Sequence, residues 1–447
     1  MMQNNNLLSC LVLALLFSFQ TSATVLTLQR RAQSSSTPLT ATNYGMLFNI
    51  EVQVGNQTFL LQWDTGSADL WMIQPDFQCL DKTTMEDLPQ PACAYAEPYY
   101  PSSTFEAVTN ETFAVQYGSG NAVGTLGFDT VTVGNITVPK QKIGLVNMTT
   151  DVGDGFISGI IGFGHPVLTS AHPVDFNFTN TSFLTDKVIY SPFFNNAYEQ
   201  GLVDPYFSVA LDRLPVNSTT GPGGFIALGS LPPVSHEPSF VTVPAEVNAG
   251  VPLSLTGGVP IITLWTLTVN STVTANQTNT TIFQAVVDSG NPANVYPSTI
   301  AASVNAAFVP PATLIPSTDG EDLYTVDCDA VPPAHGVTIG EKTFYLRPED
   351  MIIQTDAGCV SSIVGLAPDE DGLVAYFLGA AWMRNVVSVF DFGKTEMRFA
   401  ARIEDETGVT GPSETTGAAA RWGERSLFGM LGVVVAIFYT TALFRHG

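Results

Sequence analysis

Two short segments of the chain each place an aspartate immediately before a small hydroxyl residue and a glycine. Residues 64–67 read DTGS and residues 288–291 read DSGN, and a hydrophobic run precedes each of them. Two carboxyl groups held close together do not both ionise readily, so one keeps its proton at a pH at which the other is charged. A neutral and an ionised carboxyl group side by side are the acid and the base that hydrolysis by an activated water requires.

Each segment is followed, about 90 to 100 residues later, by two apolar residues and a glycine, at residues 160–162 (IIG) and 377–379 (FLG). A repeat over this distance indicates two related lobes, each of which donates one aspartate to a shared site. For one Asp-x-Gly segment alone, an ordinary turn is the alternative, because Asp bonds its own backbone and Gly adopts positive φ. Two such segments in register favour the shared site.

The residues between these motifs are typical of short β-strands. Residues 48–54 alternate apolar and polar side chains, a Gly-Asn turn follows, and residues 58–63 continue as a second strand. Similar runs recur, and long helical periodicity is rare. We therefore predict an all-β chain, with short helices near residues 298–307 and 380–385.

Several segments together resemble the pepsin-like aspartic proteases. Residues 64–71 (DTGSADLW) are similar to the first active-site signature of that family, and residues 116–120 and 124–131 are similar to its flap hairpin. Residues 265–267 are similar to the strand before the second motif, and residues 378–384 with 389–391 are similar to the C-terminal signature. The resemblance spans about residues 44–402. It implies a bilobal, all-β fold with the active-site cleft between two related lobes.

The resemblance also assigns roles to individual residues. Asp64 and Asp288 would hold and activate one water, with no covalent intermediate, no metal and no cofactor. Gly66 and Gly290 would let backbone amides approach the carboxylates, where a Cβ would crowd the site. Tyr117, Gly118 and Ser119 would lie on a flap that closes over the substrate.

Other residues would support this site. Thr65 and Ser289 would bond across the lobe interface, and Trp71 would bond the hydroxyl of the flap tyrosine. The hydroxyl of Ser67 matches the family pattern after the first glycine, whereas Asn291 departs from it after the second. We expect the Asn291 amide to donate a hydrogen bond to the second aspartate and to stabilise its charged form. The alternatives are that Trp71 is only a core residue and that Tyr117 is an aromatic residue of an ordinary hairpin.

The composition limits the class of protein. The chain has 447 residues, of which 45% are apolar and only 13% charged, and its formal net charge is −24. This charge argues against nucleic acid as a partner and suits a protein that works in acid. With few histidines and widely spaced cysteines, a metal site is not expected. We predict a monomer that acts on proteins or peptides.

The N-terminal residues predict secretion. Residues 1–23 read as a signal peptide, with an apolar core at 11–19 and small residues before the cleavage point. An uncleaved anchor is the alternative, although the apolar run is short for a membrane span. We assign residues 24–43 to a short propeptide and predict kexin-like cleavage after the dibasic pair Arg30-Arg31.

Cysteine use agrees with an oxidising compartment. Cys10 lies in the signal peptide, and the other four cysteines allow three pairings. We predict Cys79–Cys93 and Cys328–Cys359, because each of these disulfides stays within one lobe. We assign residues 44–212 to the N-terminal lobe and 213–402 to the C-terminal lobe.

The chain is also rich in N-glycosylation sequons, which favours a glycosylated extracellular surface. Their asparagines are Asn56, Asn110, Asn135, Asn147, Asn177, Asn180, Asn217, Asn270, Asn276 and Asn279.

The C-terminal residues predict membrane attachment. Residues 403–426 form a flexible stalk rich in small residues, and residues 427–447 are a hydrophobic anchor signal. Small residues, a polar spacer and an apolar tail are the pattern of a GPI-attachment signal, with Gly417 or a neighbour as the attachment site. A true membrane span is the alternative.

Two functions follow from the sequence. The first is a secreted, cell-surface aspartic endopeptidase that works at acidic pH. The second is a catalytically weak relative that binds protein or polysaccharide through the same cleft. The presence of both aspartates and of the flap tyrosine favours the enzyme.

Overall fold

The computed structural model describes residues 33–150, 153–175, 186–315, 320–368 and 374–403, all within the unit Ala32–Gly447. In these ranges the chain forms two β-sheets and three short α-helices. The helices are Phe193–Glu199 (α1), Ser298–Ala306 (α2) and Ala380–Met383 (α3). The predicted all-β class and the two predicted helices, α2 and α3, are confirmed.

The strands follow one another closely along the chain. The first group is β1 Ser35–Thr42, β2 Leu47–Val54, β3 Gln57–Asp64, β4 Leu70–Leu80, β5 Asp87–Leu88, β6 Glu106–Gln116, β7 Asn121–Val133, β8 Ile136–Thr149, β9 Gly159–Gly162, β10 Ala171–Pro173, β11 Tyr206–Leu211, β12 Gly221–Leu228 and β13 Val241–Pro244. The second group is β14 Thr266–Thr274, β15 Gln277–Asn279, β16 Phe283–Val287, β17 Asn294–Pro297, β18 Thr313–Ile315, β19 Glu321–Val326, β20 His335–Ile339, β21 Lys342–Leu346, β22 Ile352–Thr355, β23 Gly358–Ser361, β24 Ile363–Leu366, β25 Tyr376–Leu378, β26 Val386–Asp391 and β27 Glu396–Ala401.

β2 and β3 form the hairpin that the alternation at residues 48–63 predicts. Their pairing places Asn49 opposite Gln62 and Val54 opposite Gln57. The turn lies at Gly55, whose φ of 58° is unfavourable for other residues, and whose added Cβ would meet the Ser102 side chain at 2.4 Å. The hairpin therefore fixes the path of β3, which ends at the first aspartate.

Each aspartate motif follows a strand that has a parallel neighbour. β9 runs parallel to β3 and pairs Gly162 with Asp64. β25 runs parallel to β16 and pairs Leu378 with Val287, the residue before the second aspartate. The two repeated apolar-apolar-Gly segments are thus equivalent supports for the two aspartate loops.

The division of the chain between the sheets differs from the predicted boundary at 212/213. β14 to β25 form a 12-stranded sheet, but β12, β13, β26 and β27 belong to the 15-stranded sheet that also contains β1 to β11. In that sheet β26 pairs with β11, with Phe390 opposite Phe207. Residues 213–402 therefore do not form one lobe by themselves, because their last strands return to the first sheet.

Part of the segment predicted as the propeptide, residues 24–43, is a strand of the first sheet. Its residues from Ser35 to Thr42 form β1, which pairs with β12 on one side and with β2 on the other. Leu39 and Ala41 of this strand are buried in the core. A strand inside the sheet cannot leave without exposing that core, so a removable leader has to end before Ser35.

Aromatic side chains fill the core beneath the two aspartate loops. The Trp63 ring lies 6.0 Å from Phe163 and 6.2 Å from Phe207. Phe207 in turn lies 6.1 Å from Trp265 and 4.8 Å from Phe390. Because Trp63 belongs to β3 of the first sheet and Trp265 directly precedes β14 of the second, this cluster joins the two sheets under the site.

Both predicted disulfides are present. Cys79 pairs with Cys93, and Cys328 pairs with Cys359. The first closes the segment after β4, and the second joins the end of β19 to β23. The structure contains no bond between cysteines of the two sheets among the residues that it describes.

Other predictions concern residues outside the described ranges. These are the signal peptide 1–23, the dibasic pair Arg30-Arg31, the sequons at Asn177 and Asn180, Gly417, and residues 404–447. Within the described ranges, no helix is long and apolar enough to cross a membrane. The other eight sequon asparagines have exposed or half-exposed side chains, as an attached glycan requires.

The fully buried His335 gives the protein a pH-dependent stability. Burial lowers the pKa of His335 to about 4, below the value near 6.5 of an exposed histidine. Between these pH values the unfolded chain binds a proton that the folded chain excludes, so the native state loses up to about 3 kcal/mol as the pH falls. His335→Gln is expected to be destabilised less at about pH 4 than at about pH 7. Denaturant unfolding at each pH measures the difference in free energy of unfolding between the wild type and the variant. Equal differences at the two pH values contradict the prediction.

Candidate active site

Hydroxyl groups join the two aspartate loops across the sheets. The Thr65 hydroxyl donates to the carbonyl of Val287 (3.0 Å) and accepts from the Ser289 amide (2.9 Å). The Ser289 hydroxyl donates to the carbonyl of Trp63 (3.1 Å) and accepts from the Thr65 amide (3.1 Å). These four reciprocal bonds are fully buried, so they fix the separation and the register of the two loops.

The two glycines let the carboxyl groups approach each other. The Gly66 amide donates to Asp64 Oδ1 (2.8 Å), and the Gly290 amide donates to Asp288 Oδ1 (2.9 Å). A Cβ on Gly66 would lie 2.7 Å from the Asp288 carboxyl, and one on Gly290 would lie 2.5 Å from Asp64 Oδ1. Each glycine therefore packs against the aspartate of the other loop, and no larger residue fits at either position.

The environment of Asp288 favours its neutral form. Burial, the negative charge of Asp64 and a hydrogen bond with Asp64 raise the pKa of Asp288 well above its ordinary value, and the Gly290 and Gly66 amides oppose this only partly. Asp64 accepts two hydrogen bonds from its own loop, from the Gly66 amide and the Ser67 hydroxyl. The pair can thus share one proton, which the environment of Asp288 favours on that residue.

The outer oxygens of the two carboxyl groups have different partners. The Ser67 hydroxyl donates to Asp64 Oδ2 (2.5 Å). Asn291 instead accepts a hydrogen bond from the Ala293 amide through Oδ1 (3.1 Å), and its buried Nδ2 has no partner among the described residues. The expected bond from Asn291 to Asp288 is therefore not formed. The reason is local, because an asparagine side chain readily bonds the backbone two residues onward.

Asn291→Thr is expected to keep the protein active and to move its pH–activity profile by less than about one unit. A hydroxyl at this position can donate to Asp288, as Ser67 does to Asp64, and so stabilise the ionised carboxylate. The pKa of Asp288 then falls, and activity is lost at a lower pH on the alkaline side. Asn291→Ala, which adds no donor, is the control. Profiles of kcat/KM against pH measure the position of the alkaline limb. A shift of this limb to higher pH in Asn291→Thr contradicts the prediction.

The flap lies where the sequence predicts it, at the turn between β6 and β7. The Tyr117 amide donates to the carbonyl of Gly120 (2.7 Å) and closes this turn. The Trp71 indole donates to the Tyr117 hydroxyl (2.9 Å), and the Trp71 ring is fully buried. The predicted contact is thus present, and it connects the flap to the strand that follows the first aspartate loop.

One contact to the flap was not predicted. Lys82, in the segment that the Cys79–Cys93 disulfide closes, donates to the carbonyl of Gly118 (2.6 Å). Gly118 and Ser119 form the bend at the flap tip. The sequence shows that the segment between Cys79 and Cys93 is long enough to reach a neighbouring element. It does not show that this element is the flap.

The arrangement can support acid–base chemistry on a water between two carboxyl groups. No group of three or more metal-binding side chains occurs among the described residues. The His165 ring packs against Trp265 (4.6 Å) and Phe392 (5.0 Å) instead of the carboxyl groups. Burial lowers the pKa of His165 to about 4, so it is neutral over most of the acidic range.

Comparisons with known proteins agree with this geometry. Residues 47–402 match the family model of eukaryotic aspartyl proteases. A probable aspartic-type endopeptidase of Aspergillus fumigatus is 35% identical over 84% of this chain and 83% of its own length. Cathepsin D of Chionodraco hamatus is 29% identical over 83% of this chain and 85% of its own. The crystal structure of an aspartic proteinase from Irpex lacteus shares the fold, with a TM-score of 0.62 and 22% identity over 83% of this chain and 98% of that one.

Proposed function

The chain belongs to the eukaryotic aspartyl protease family, and we propose that Asp64 and Asp288 are the catalytic pair with which it hydrolyses peptide bonds. It is an aspartic-type endopeptidase, and acidic pH and an aspartate dyad are general properties of its family. The packing of each glycine against the opposite carboxyl group carries this assignment, because that closeness lets the pair share one proton.

In the proposed mechanism the two aspartates have different roles. Ionised Asp64, held by the Ser67 hydroxyl and the Gly66 amide, takes a proton from a water as it attacks the scissile carbonyl. Neutral Asp288 donates a hydrogen bond to the carbonyl oxygen, which gains negative charge in the tetrahedral intermediate. Proton transfer to the leaving nitrogen then breaks the C–N bond, and the flap at Tyr117 excludes bulk water.

Cleavage of a denatured protein at about pH 4 tests this function. A peptide with a hydroxyl group in place of the scissile bond mimics the tetrahedral intermediate and should block the reaction. Cleavage that this compound inhibits supports the acid endopeptidase. Binding of the compound or of a polysaccharide without any cleavage supports instead the catalytically weak surface protein.

We propose further that the protein is secreted and matures by cleavage after Arg31. The position of β1 supports this, because a mature chain that begins at Ala32 retains the whole strand Ser35–Thr42. The two disulfides and the exposed sequon asparagines suit a secretory route. N-terminal sequencing of the secreted protein should start at or shortly after Ala32, and a start at Thr24 contradicts the step.

We propose attachment of the mature monomer to the cell surface by a GPI anchor near Gly417. The pattern of small residues, spacer and apolar tail supports the proposal. A phosphatidylinositol-specific phospholipase should release the protein from cells. Recovery of a peptide from residues 427–444 in the mature protein would show a membrane span instead.

A further inference from the structure

A group of buried polar side chains lies behind the first aspartate loop, and the proposed chemistry does not use it. Asp69 follows Asp64 by five residues and is fully buried. Its Oδ1 accepts hydrogen bonds from the Tyr190 hydroxyl (2.6 Å) and from the Ser170 amide (2.9 Å). Next to Ser170 in the chain is the short strand β10, which contains a fully buried histidine, His172.

β10 connects this group to the flap. It pairs with β6, the first arm of the flap, and places His172 opposite Thr112. The Ala114 amide also donates to the carbonyl of Ser170 (3.1 Å). Ala114 lies three residues before Tyr117, so the position of β6 at this point determines where the flap begins.

The ring of His172 lies between two backbone carbonyl groups. Its Nδ1 is 2.8 Å from the carbonyl oxygen of Asp186, and its Nε2 is 3.1 Å from that of Ala114. A neutral imidazole carries one N–H, so one of its nitrogens would direct a lone pair at a carbonyl oxygen. Only the doubly protonated ring donates to both carbonyl groups.

The groups around the ring act on the pKa of His172 in both directions. Burial and the positive charge of Lys187 lower the pKa of His172, the two carbonyl groups and Asp69 raise it, and the net effect is a pKa below the ordinary value. The other ionisable groups of the neighbouring elements are Tyr190, the Asp186 side chain, and the ion pair of Lys142 with Glu111 (2.6 Å).

We propose that His172 is a positioning residue that fastens the base of the flap when its ring is protonated in acid. At higher pH the neutral ring keeps the shorter bond, from Nδ1 to Asp186 (2.8 Å), and loses the one from Nε2 to Ala114 (3.1 Å), so β6 is held less firmly. The consequence for catalysis rests on the proposed function, but the change in the flap does not. The protein would thus couple flap position to pH independently of the two catalytic aspartates.

Hydrogen exchange on the folded protein tests the change in the flap. After correction for intrinsic rates, protection of the amides of residues 112–117 relative to those of β12, which does not contact His335, is expected to be about tenfold higher at about pH 4 than at about pH 7, the effect of one hydrogen bond from a charged group. His172→Gln has a donor of similar reach to Nε2 but does not titrate, so the difference should vanish. His335→Gln, at a buried histidine of the other sheet, should keep it.

Two exchange results would overturn the proposal: protection in the wild type that changes equally in β6 and β12, or a pH difference that survives in His172→Gln. The comparison of hydrogen exchange in the wild type at the two pH values tests the proposal even if a variant does not fold. It also tests the proposal if the protein does not cleave peptides, so failure of the proposed function is distinguishable from failure of this inference.

Steady-state kinetics then test the consequence for the substrate. KM is expected to rise severalfold from about pH 4 to about pH 6.5 in the wild type and in His335→Gln, but to stay constant in His172→Gln. His172→Asn, which can match only Nδ1, should have the higher KM at every pH. The acid limb of kcat, which belongs to the aspartates, should not move. A KM profile of His172→Gln equal to that of the wild type contradicts the role.

Discussion

Asp64→Asn and Asp288→Asn are each expected to lower kcat/KM by at least about 10³-fold. Each change removes one of the two carboxyl groups that share a proton, and an amide can neither take a proton from water nor release one. The hydroxyl network of Thr65 and Ser289 does not involve the replaced carboxyl groups. Both variants should therefore fold and keep the geometry of the loops.

The assay is the rate of peptide cleavage at about pH 4, with thermal unfolding as the check on folding. Asp327→Asn is a matched control, because Asp327 is an exposed aspartate outside the site, and it should retain wild-type activity. Turnover above a few per cent in either dyad variant, once contamination by wild-type enzyme is excluded, would overturn the assignment of the catalytic pair.

The parts of the site that the sequence predicts correctly are those set by short segments. An Asp-x-Gly turn places the carboxyl group beside its own backbone amide, and Gly66 and Gly290 are needed because each lies against the other aspartate. β2 alternates in burial from Ile50 to Val54 as its side chains alternate in polarity, whereas β3 is buried throughout from Leu61 to Asp64. Local rules therefore suffice for the loops, the β2–β3 hairpin and the flap turn.

The parts that the sequence does not predict depend on distant contacts. The return of β26 and β27 to the first sheet leaves no local signal, and neither does the burial of β1 between β2 and β12. The boundaries predicted from the sequence therefore do not reflect these two arrangements. The hydrogen-bond partner of Asn291 also could not be predicted from the sequence. An asparagine at this position can bond either Asp288 or the Ala293 amide, and the folded structure contains the second bond.

A buried group of charges near the junction of the two sheets provides the second large expected effect. Asp350, only 1% exposed, accepts hydrogen bonds from Arg213 Nη2 (2.6 Å) and Arg384 Nη1 (3.4 Å). The Asn385 amide also donates to it (2.9 Å). Arg213 belongs to the loop after β11, and Arg384 donates as well to the carbonyl of Gly45. One carboxylate thus holds segments from distant parts of the chain.

Asp350→Asn is expected to lower the free energy of unfolding by about 3–5 kcal/mol. The replacement has nearly the same shape, but it removes the carboxylate that pairs with the buried Arg384 and leaves Arg213 only its longer contact with Glu349 (3.9 Å). Removing one member of a buried ion pair is more destabilising than removing an exposed one, because the remaining charge stays out of water. Denaturant unfolding of the wild type and the variant at one pH measures the difference.

The neighbouring residue supplies the matched control for this effect. Glu349 pairs with Arg347 (2.5 Å), both side chains are about half exposed, at 47% and 48%, and its contact with Arg213 is long, at 3.9 Å. Glu349→Gln removes a charge one residue away and should change stability by about 1 kcal/mol or less. If the two variants are equally stable, the charges around Asp350 are better solvated than their burial indicates. A large difference between them shows that burial of the pair, and not the loss of one negative charge, determines the effect.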